Sequence, residues 1–200
     1  MSYLKFENLS KFPEISHFVS TRKTKKIPFK NFALVNQVHG NEVLLVNKKV
    51  EDISADAMAT NKKDIGLVIR VADCVPILFF DPSKKVVGVA HAGWRGTLKK
   101  ISSKTLQKMQ EEFGSNPKDT VVGIGPCICV KHYEVGEAVL PGARGNFDLR
   151  MANKLQLLEE GVLAQNIEIM PYCTYERTDL FYSYRGKKET GRFLVGISIA

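Results

Sequence analysis

The chain has 200 residues, 44% of them hydrophobic, and a formal charge of +8 from 29 Lys and Arg against 21 Asp and Glu. That length fits one ordinary globular unit with a sizeable core, so a single domain over residues 1–200 is expected. No run approaches the ~18 apolar residues of a membrane span, and Met1-Ser-Tyr-Leu-Lys lacks a signal-peptide core, so the expectation is a cytoplasmic protein without a membrane partner. Four cysteines (Cys74, Cys127, Cys129, Cys173) at irregular spacing read as reduced thiols and not as a disulfide framework. The positive excess gathers in Arg22-Lys-Thr-Lys-Lys26 and at Lys30. Without a nucleic-acid motif beside it, that patch reads as a solvated face that can steer a phosphorylated small molecule, and no specific nucleic-acid partner is expected.

In chain order, the first thirty residues are weakly patterned and accommodate one or two short strands. Residues 31–38 alternate as a strand ending at His39-Gly40, and residues 42–46 supply a partner strand after a tight turn. Ser54-Ala-Asp-Ala-Met-Ala-Thr60 precedes a strand at 66–71, which runs into Asp73-Cys74. Val-Pro-Ile-Leu-Phe-Phe at 75–80 and Val-Val-Gly-Val-Ala at 86–90 are β-rich and separated by Asp-Pro-Ser-Lys-Lys, a turn composition. A hairpin closed around Pro82 and Ser83 pairs residues whose numbers sum to about 165, which sets Cys74 opposite His91 on one side of the sheet. Gly93 and Gly96 flank Trp94-Arg95 at the entry to a helix whose stripe is Leu98, Ile101, Thr105, Met109 and Phe113, with Gly114 as its stop. A strand at 120–125 ends in Pro126-Cys-Ile-Cys129. The Pro-Cys does not make a cytidine-deaminase zinc site, because His-x-Glu is missing and the spacing is Cys-x-Cys, so both cysteines read as half-buried strand-end residues. Asp148 caps a helix carrying Leu149, Ala152, Leu155 and Leu158, closed by Gly161. Residues 166–170 and 193–199 read as strands. The fold class is therefore α/β, with mixed, largely antiparallel sheets flanked by helices and no dinucleotide fingerprint.

Three β-segments thus end near His39, Cys74 and His91. Two imidazoles and a thiolate form a zinc set with a fourth position left open, where a bound water would have its pKa lowered toward about 7. The same atoms permit a metal-free cysteine hydrolase, with Cys74 as nucleophile, His91 as base and Asp73 or His39 as orienter. Copper also accepts these donors, but a multicopper centre needs more imidazoles than the 4 histidines present. A buried cysteine beside a capped histidine is the fourth possibility.

Gln37-Val-His-Gly40, Ser54-Ala-Asp-Ala57, Val71-Ala-Asp-Cys74, His91-Ala-Gly-Trp-Arg-Gly96, Gly125-Pro-Cys-Ile128, Phe147-Asp-Leu149, Tyr182-Ser-Tyr-Arg185 and Thr190-Gly-Arg192 together resemble the YfiH family, also called polyphenol oxidase or laccase-domain proteins. The resemblance implies a YfiH-like layered sandwich and a catalytic zinc on His39, Cys74 and His91, with copper the less favoured metal. It also implies phosphorolysis of adenosine, inosine, guanosine and methylthioadenosine, and deamination of adenosine, with nucleoside and phosphate as partners. Peptidoglycan editing on a cell-wall precursor and copper-dependent phenol oxidation are alternatives that the family also carries. Apart from the resemblance, the basic α/β composition also admits a non-enzymatic, zinc-stabilised nucleotide-binding module, which Cys127 or Cys129 as a fourth ligand would favour. Arg95, Arg185 and Arg22 are the expected substrate contacts, and Asp73 a candidate for proton handling. Ser20-Thr-Arg22 matches the family, but a lysine-rich segment stands where a Gly-Gly-Val-Ser-like loop is usual, and Gly186-Lys-Lys replaces a second arginine and an acidic turn.

Overall fold

The computed structural model describes residues 3–24, 26–48, 50, 52–137, 139 and 144–200. Met1, Ser2 and Lys25, which entered the reading of the N-terminus and of the basic run, lie outside the described residues. The elements are α1 (Glu7–Ser10), β1 (Ile15–Val19), β2 (Phe32–Leu34), β3 (Val43–Leu45), β4 (Ala57–Thr60), β5 (Gly66–Val71), β6 (Val75–Asp81), β7 (Val86–Ala92), α2 (Trp94–Leu98), α3 (Ile101–Phe113), β8 (Val121–Ile124), β9 (Glu134–Val135), β10 (Gly145–Asn146), α4 (Leu149–Glu159), β11 (Ile167–Ile169), α5 (Tyr184–Lys187) and β12 (Phe193–Ile199), with 3-10 turns at Val130–His132 and Ala164–Asn166.

Two sheets carry the fold. One has the order β1-β12-β5-β2 and the other β11-β8-β6-β7-β4-β3. The β2/β5, β3/β4 and β11/β8 pairs are parallel and the other pairs antiparallel. The mixed, largely antiparallel α/β architecture expected from the sequence is what the chain adopts.

Strands β6 and β7 are buried along their whole length, because both faces of their sheet are covered. Leu78, Phe80, Val87 and Val89 face the smaller sheet and pack with Leu67, Ile69, Val195 and Ile197. Ile77, Phe79 and Ala90 face the other way, onto Ile101, Leu106 and Met109 of α3 and Leu149 and Leu157 of α4. The period-two side-chain alternation of a strand thus divides one apolar run between two cores.

Several local expectations are corrected. The 42–46 segment is no hairpin partner of β2: β3 pairs with β4 in the larger sheet while β2 pairs with β5 in the smaller one. The chain crosses between sheets at His39. The expected helix from Leu98 is two helices, since Lys100 takes a left-handed conformation (φ 59°) that breaks the run, and Leu98 is exposed. In α4 the Asp148 cap is present, its side chain accepting from Met151 N, but the buried face is Leu149, Asn153 and Leu157 while Leu155 is exposed. Asn153 is drawn inward by bonds to Ser102 and Thr97.

The β6/β7 register differs by two from the expected one. Asp81 pairs with Val86 and Pro76 with His91, because the Asp81 carboxylate accepts from Ser83 N, Ser83 Oγ and Lys84 N and so centres the turn one residue later. Continued one step, that register sets Cys74 opposite Gly93 and diagonal to His91. A shift of two keeps both side chains on one face.

Candidate metal centre

Two of the crossings between the sheets build the site. His39 lies in the link from β2 to β3, and Cys74 in the link from β5 to β6, while His91 stands within β7. One ligand atom from each of the three lies within 4.8 Å of the others, and the two imidazoles meet edge to face at 4.9 Å.

Asp56, just before β4, organises them. Its neighbour pairing continues the β4/β7 ladder, so His91 N donates to Asp56 O at 2.7 Å. The same residue's carboxylate meets His91 Nδ1 at 2.8 Å and accepts from Val38 N, His39 N and Gly40 N at 3.1, 3.0 and 2.7 Å. Three successive N–H groups on one fully buried carboxylate hold His39 in its left-handed conformation (φ 58°). The His91 contact leaves Nε2 to face Cys74, the carboxylate–histidine arrangement common behind metal-bound imidazoles.

Charge follows from this packing. Burial pushes the Cys74 thiol up, but His91 and His39 outweigh it and lower the thiol to about 6. Burial pushes His91 down, but Cys74 and Asp56 outweigh it and raise the imidazole. Burial pushes Asp56 up, and the His91 ring with the Gly40 and Val38 N–H groups brings it below its ordinary value. The result is a thiolate–imidazolium pair, whose ring proton a bound cation would displace.

Two glycines make room. A Cβ at Gly93 would stand 3.0 Å from Cys74 Sγ and 3.1 Å from His39 Cδ2, and one at Gly96 would stand 2.8 Å from Gly40 O.

The cleft in front of the trio, about 310 Å³, is lined by Asn36, Gln37, Arg70, Ala72 and Arg192 besides the trio itself. None of the three arginines singled out in the sequence lines it. Arg185 donates from its backbone to Asp73 and from its guanidinium to Glu134 O, and stacks on Tyr133. Arg95 is exposed and stacks on Trp94. Both reach Tyr133 electrostatically: burial and then Cys74 raise its phenol to about 12, with Arg185 and Arg95 opposing. Arg22 bonds Phe181 O, pairs with Glu189 and lies over Tyr182, in a neighbouring cavity that shares Arg192 with the first. Asp73 is occupied elsewhere, accepting from Thr174 Oγ1 and Arg185 N.

Asp56, Tyr133, Arg70 and Arg192 were not assigned roles from the sequence. Asp56 lies within Ser54-Ala-Asp-Ala57, and its opposition to His91 was the signal that could have found it. Neither Cys127 nor Cys129 joins the trio. Burial raises Cys127 to about 11, where it receives a bond from Arg150, and Cys129 belongs to another cluster.

The donor set fits zinc, with one thiolate, two imidazoles, a carboxylate behind one of them and a face open to a cleft. It does not fit a multicopper centre: of the 4 histidines, His17 is buried and accepts from Phe6 N, and His132 lies in the other cluster.

Residues 18–200 match the family model described as multi-copper polyphenol oxidoreductase laccase. Among curated relatives, purine nucleoside phosphorylase YlmD of Bacillus subtilis is 33% identical over 82% of this chain and 69% of its own. A purine nucleoside phosphorylase of Bacteroides thetaiotaomicron is 31% identical over 98% of this chain and 96% of its own. The crystal structure of YlmD from Geobacillus stearothermophilus superposes with a TM-score of 0.90 at 26% identity, covering 100% of this chain and 96% of that one. With its fold, its motifs and nearly its whole length in agreement, the chain belongs to the multi-copper polyphenol oxidoreductase laccase family, whose structural neighbours include YfiH and YlmD.

Proposed function

We propose that the chain is a zinc-dependent purine nucleoside enzyme of the cytoplasm that phosphorolyses adenosine, inosine, guanosine and methylthioadenosine and deaminates adenosine. The observation that carries this reading is the three-ligand cluster of His39, Cys74 and His91, backed by Asp56 and open to a cleft with two arginines. The names of the curated relatives support the substrate class, and four free thiols suit a reducing compartment.

Zinc, when bound there, supplies a Lewis acid and an activated water. Asp56 keeps the proton on His91 Nδ1, so that Nε2 offers its lone pair, and fixes the His39 turn through three N–H groups. Arg192 and Arg70 line the cleft and suit the phosphate dianion, with Arg22 in the adjoining cavity and Arg95 and Arg185 beside Tyr133 as further cationic groups. In phosphorolysis a phosphate oxygen bonds to ribose C1′ as the bond to purine N9 breaks and the base leaves with a proton. Positive charge developing on the ribose then lies near the held anion. In deamination water adds at C6 and ammonia leaves.

Incubation of the purified chain with adenosine and with inosine, with and without phosphate, tests the reading. Phosphate-dependent base release and phosphate-independent ammonia are expected. If neither product forms while zinc is bound, the reading fails.

A second reading has its own observation, since Cys74, His91 and Asp56 also form the ordered nucleophile–base–orienter series of a cysteine hydrolase. Metal-free protein that is rapidly alkylated at Cys74 and hydrolyses an amide would favour it.

A further inference from the structure

A second cluster lies away from the trio. Cys129, His132, Cys173 and Glu176 each place one ligand atom within 4.8 Å of the others. Two short segments supply them at the same spacing, Cys129-Val-Lys-His132 and Cys173-Thr-Tyr-Glu176. The first forms the 3-10 turn that follows β8, and the second follows β11. Parallel pairing of those strands, continued by the Cys127/Cys173 bridge, sets the two segments side by side.

His132 Nδ1 stands 3.2 Å from Cys129 Sγ, 3.8 Å from Cys173 Sγ and 3.5 Å from Glu176 Oε1. One ring nitrogen has a single proton or a single lone pair and cannot bond three partners at once. A cation at the centre would satisfy all four groups. Tetrahedral zinc, with bonds near 2.3 Å to sulfur and 2.0–2.1 Å to nitrogen or oxygen, sets S···N edges of about 3.6 Å and N···O edges of about 3.4 Å. The observed separations scatter around those values. Two further contacts hold the ligands: Tyr175 stacks on the His132 ring at 4.3 Å, and Cys129 N donates to Cys173 Sγ at 3.3 Å.

We propose that Cys129, His132, Cys173 and Glu176 form a second, structural zinc site. Four protein donors close the coordination sphere, so its role is bracing. It ties the segment leading into Tyr133 to the one carrying Thr174, whose hydroxyl bonds Asp73 next to Cys74. The wall behind the trio is thereby held from a distance. The proposal rests on this geometry and is independent of the purine reading.

Elemental analysis of the full chain purified without added metal is expected to give two zinc ions per chain, and one in Cys129→Ser/Cys173→Ser. Should that double variant fail to fold, Cys74→Ser decides instead, because it removes the trio's thiolate and leaves the second pair. Loaded with cobalt(II), it is expected to keep a sulfur-to-cobalt charge-transfer band, which disappears on adding His132→Ala. A double variant holding as much zinc as the wild type, loss of the band in Cys74→Ser, or a Cys129–Cys173 disulfide in the intact mass each overturns the proposal.

Discussion

The two cysteine–histidine clusters are built from similar donors and differ in number, origin and exposure. His39, Cys74 and His91 come from three distant segments, are fixed by a buried carboxylate and open onto a cleft. Cys129, His132, Cys173 and Glu176 come from two short segments of matched spacing and leave no ligand position free. The count of donors separates the tasks, because an open position permits chemistry and a filled one permits bracing. Distance in sequence follows the same division. Substrate has to approach a site at the junction of layers, whereas a brace needs only two neighbouring strand ends.

The largest expected effect distinguishing the clusters is that of Asp56→Asn. The amide cannot accept as a carboxylate does from Val38, His39, Gly40 and His91, so zinc affinity at the trio is expected to fall about 10- to 100-fold, with activity following. A competitive chelator titration measures it, and the second cluster keeps its metal. An unchanged affinity would show that Asp56 only holds the turn.

His17 provides a histidine outside both clusters. It is buried, accepts from Phe6 N, and is lowered to about 4, first by burial and then by Lys5. The unfolded chain, with an ordinary histidine near 6.5, binds the proton more readily across that window, so stability is lost as pH falls below about 6.5 and the loss is complete near pH 4. Between about pH 7 and 5 the loss is about 2 kcal/mol. Denaturant unfolding of the wild type and His17→Gln measures it, and the variant is expected to lose the histidine-linked slope. An equal slope in both would assign the acid sensitivity elsewhere.

The smallest effect belongs to Gly93→Ala. Its methyl would press on Cys74 Sγ and His39 Cδ2, and a shift of a few tenths of an ångström in the ligands is expected to cost about tenfold or less in kcat/KM. Gly136→Ala, with nothing within 4 Å of the new carbon, serves as the neutral control. Equal behaviour of the two variants would mean the trio tolerates crowding.

The sequence made half of this comparison legible. Cys74 and His91 share a hairpin, and a two-residue error in its register left them on one face because side chains alternate with period two. His39 was visible as a residue at a strand end, but its crossing between sheets was not, since β2 and β3 look like hairpin partners until β5 and β4 claim them. Asp56 escaped because its role depends on lying beside His91 across β4 and β7. The second cluster escaped for a similar reason: Cys129 and His132 are three residues apart, yet Cys173 and Glu176 reach them only through the parallel pairing of β8 and β11. Leu98 and Leu155 were assigned to buried stripes by periodicity alone, and a left-handed Lys100 and the inward-facing Asn153 redirected those stripes.

The central claim is that metal at the trio runs the chemistry. It is tested most directly by stripping the chain with chelator and titrating zinc back while phosphate-dependent base release from inosine is followed. An inert stripped chain whose activity returns in step with zinc is the expected result. A stripped chain that releases base at the full rate would contradict it.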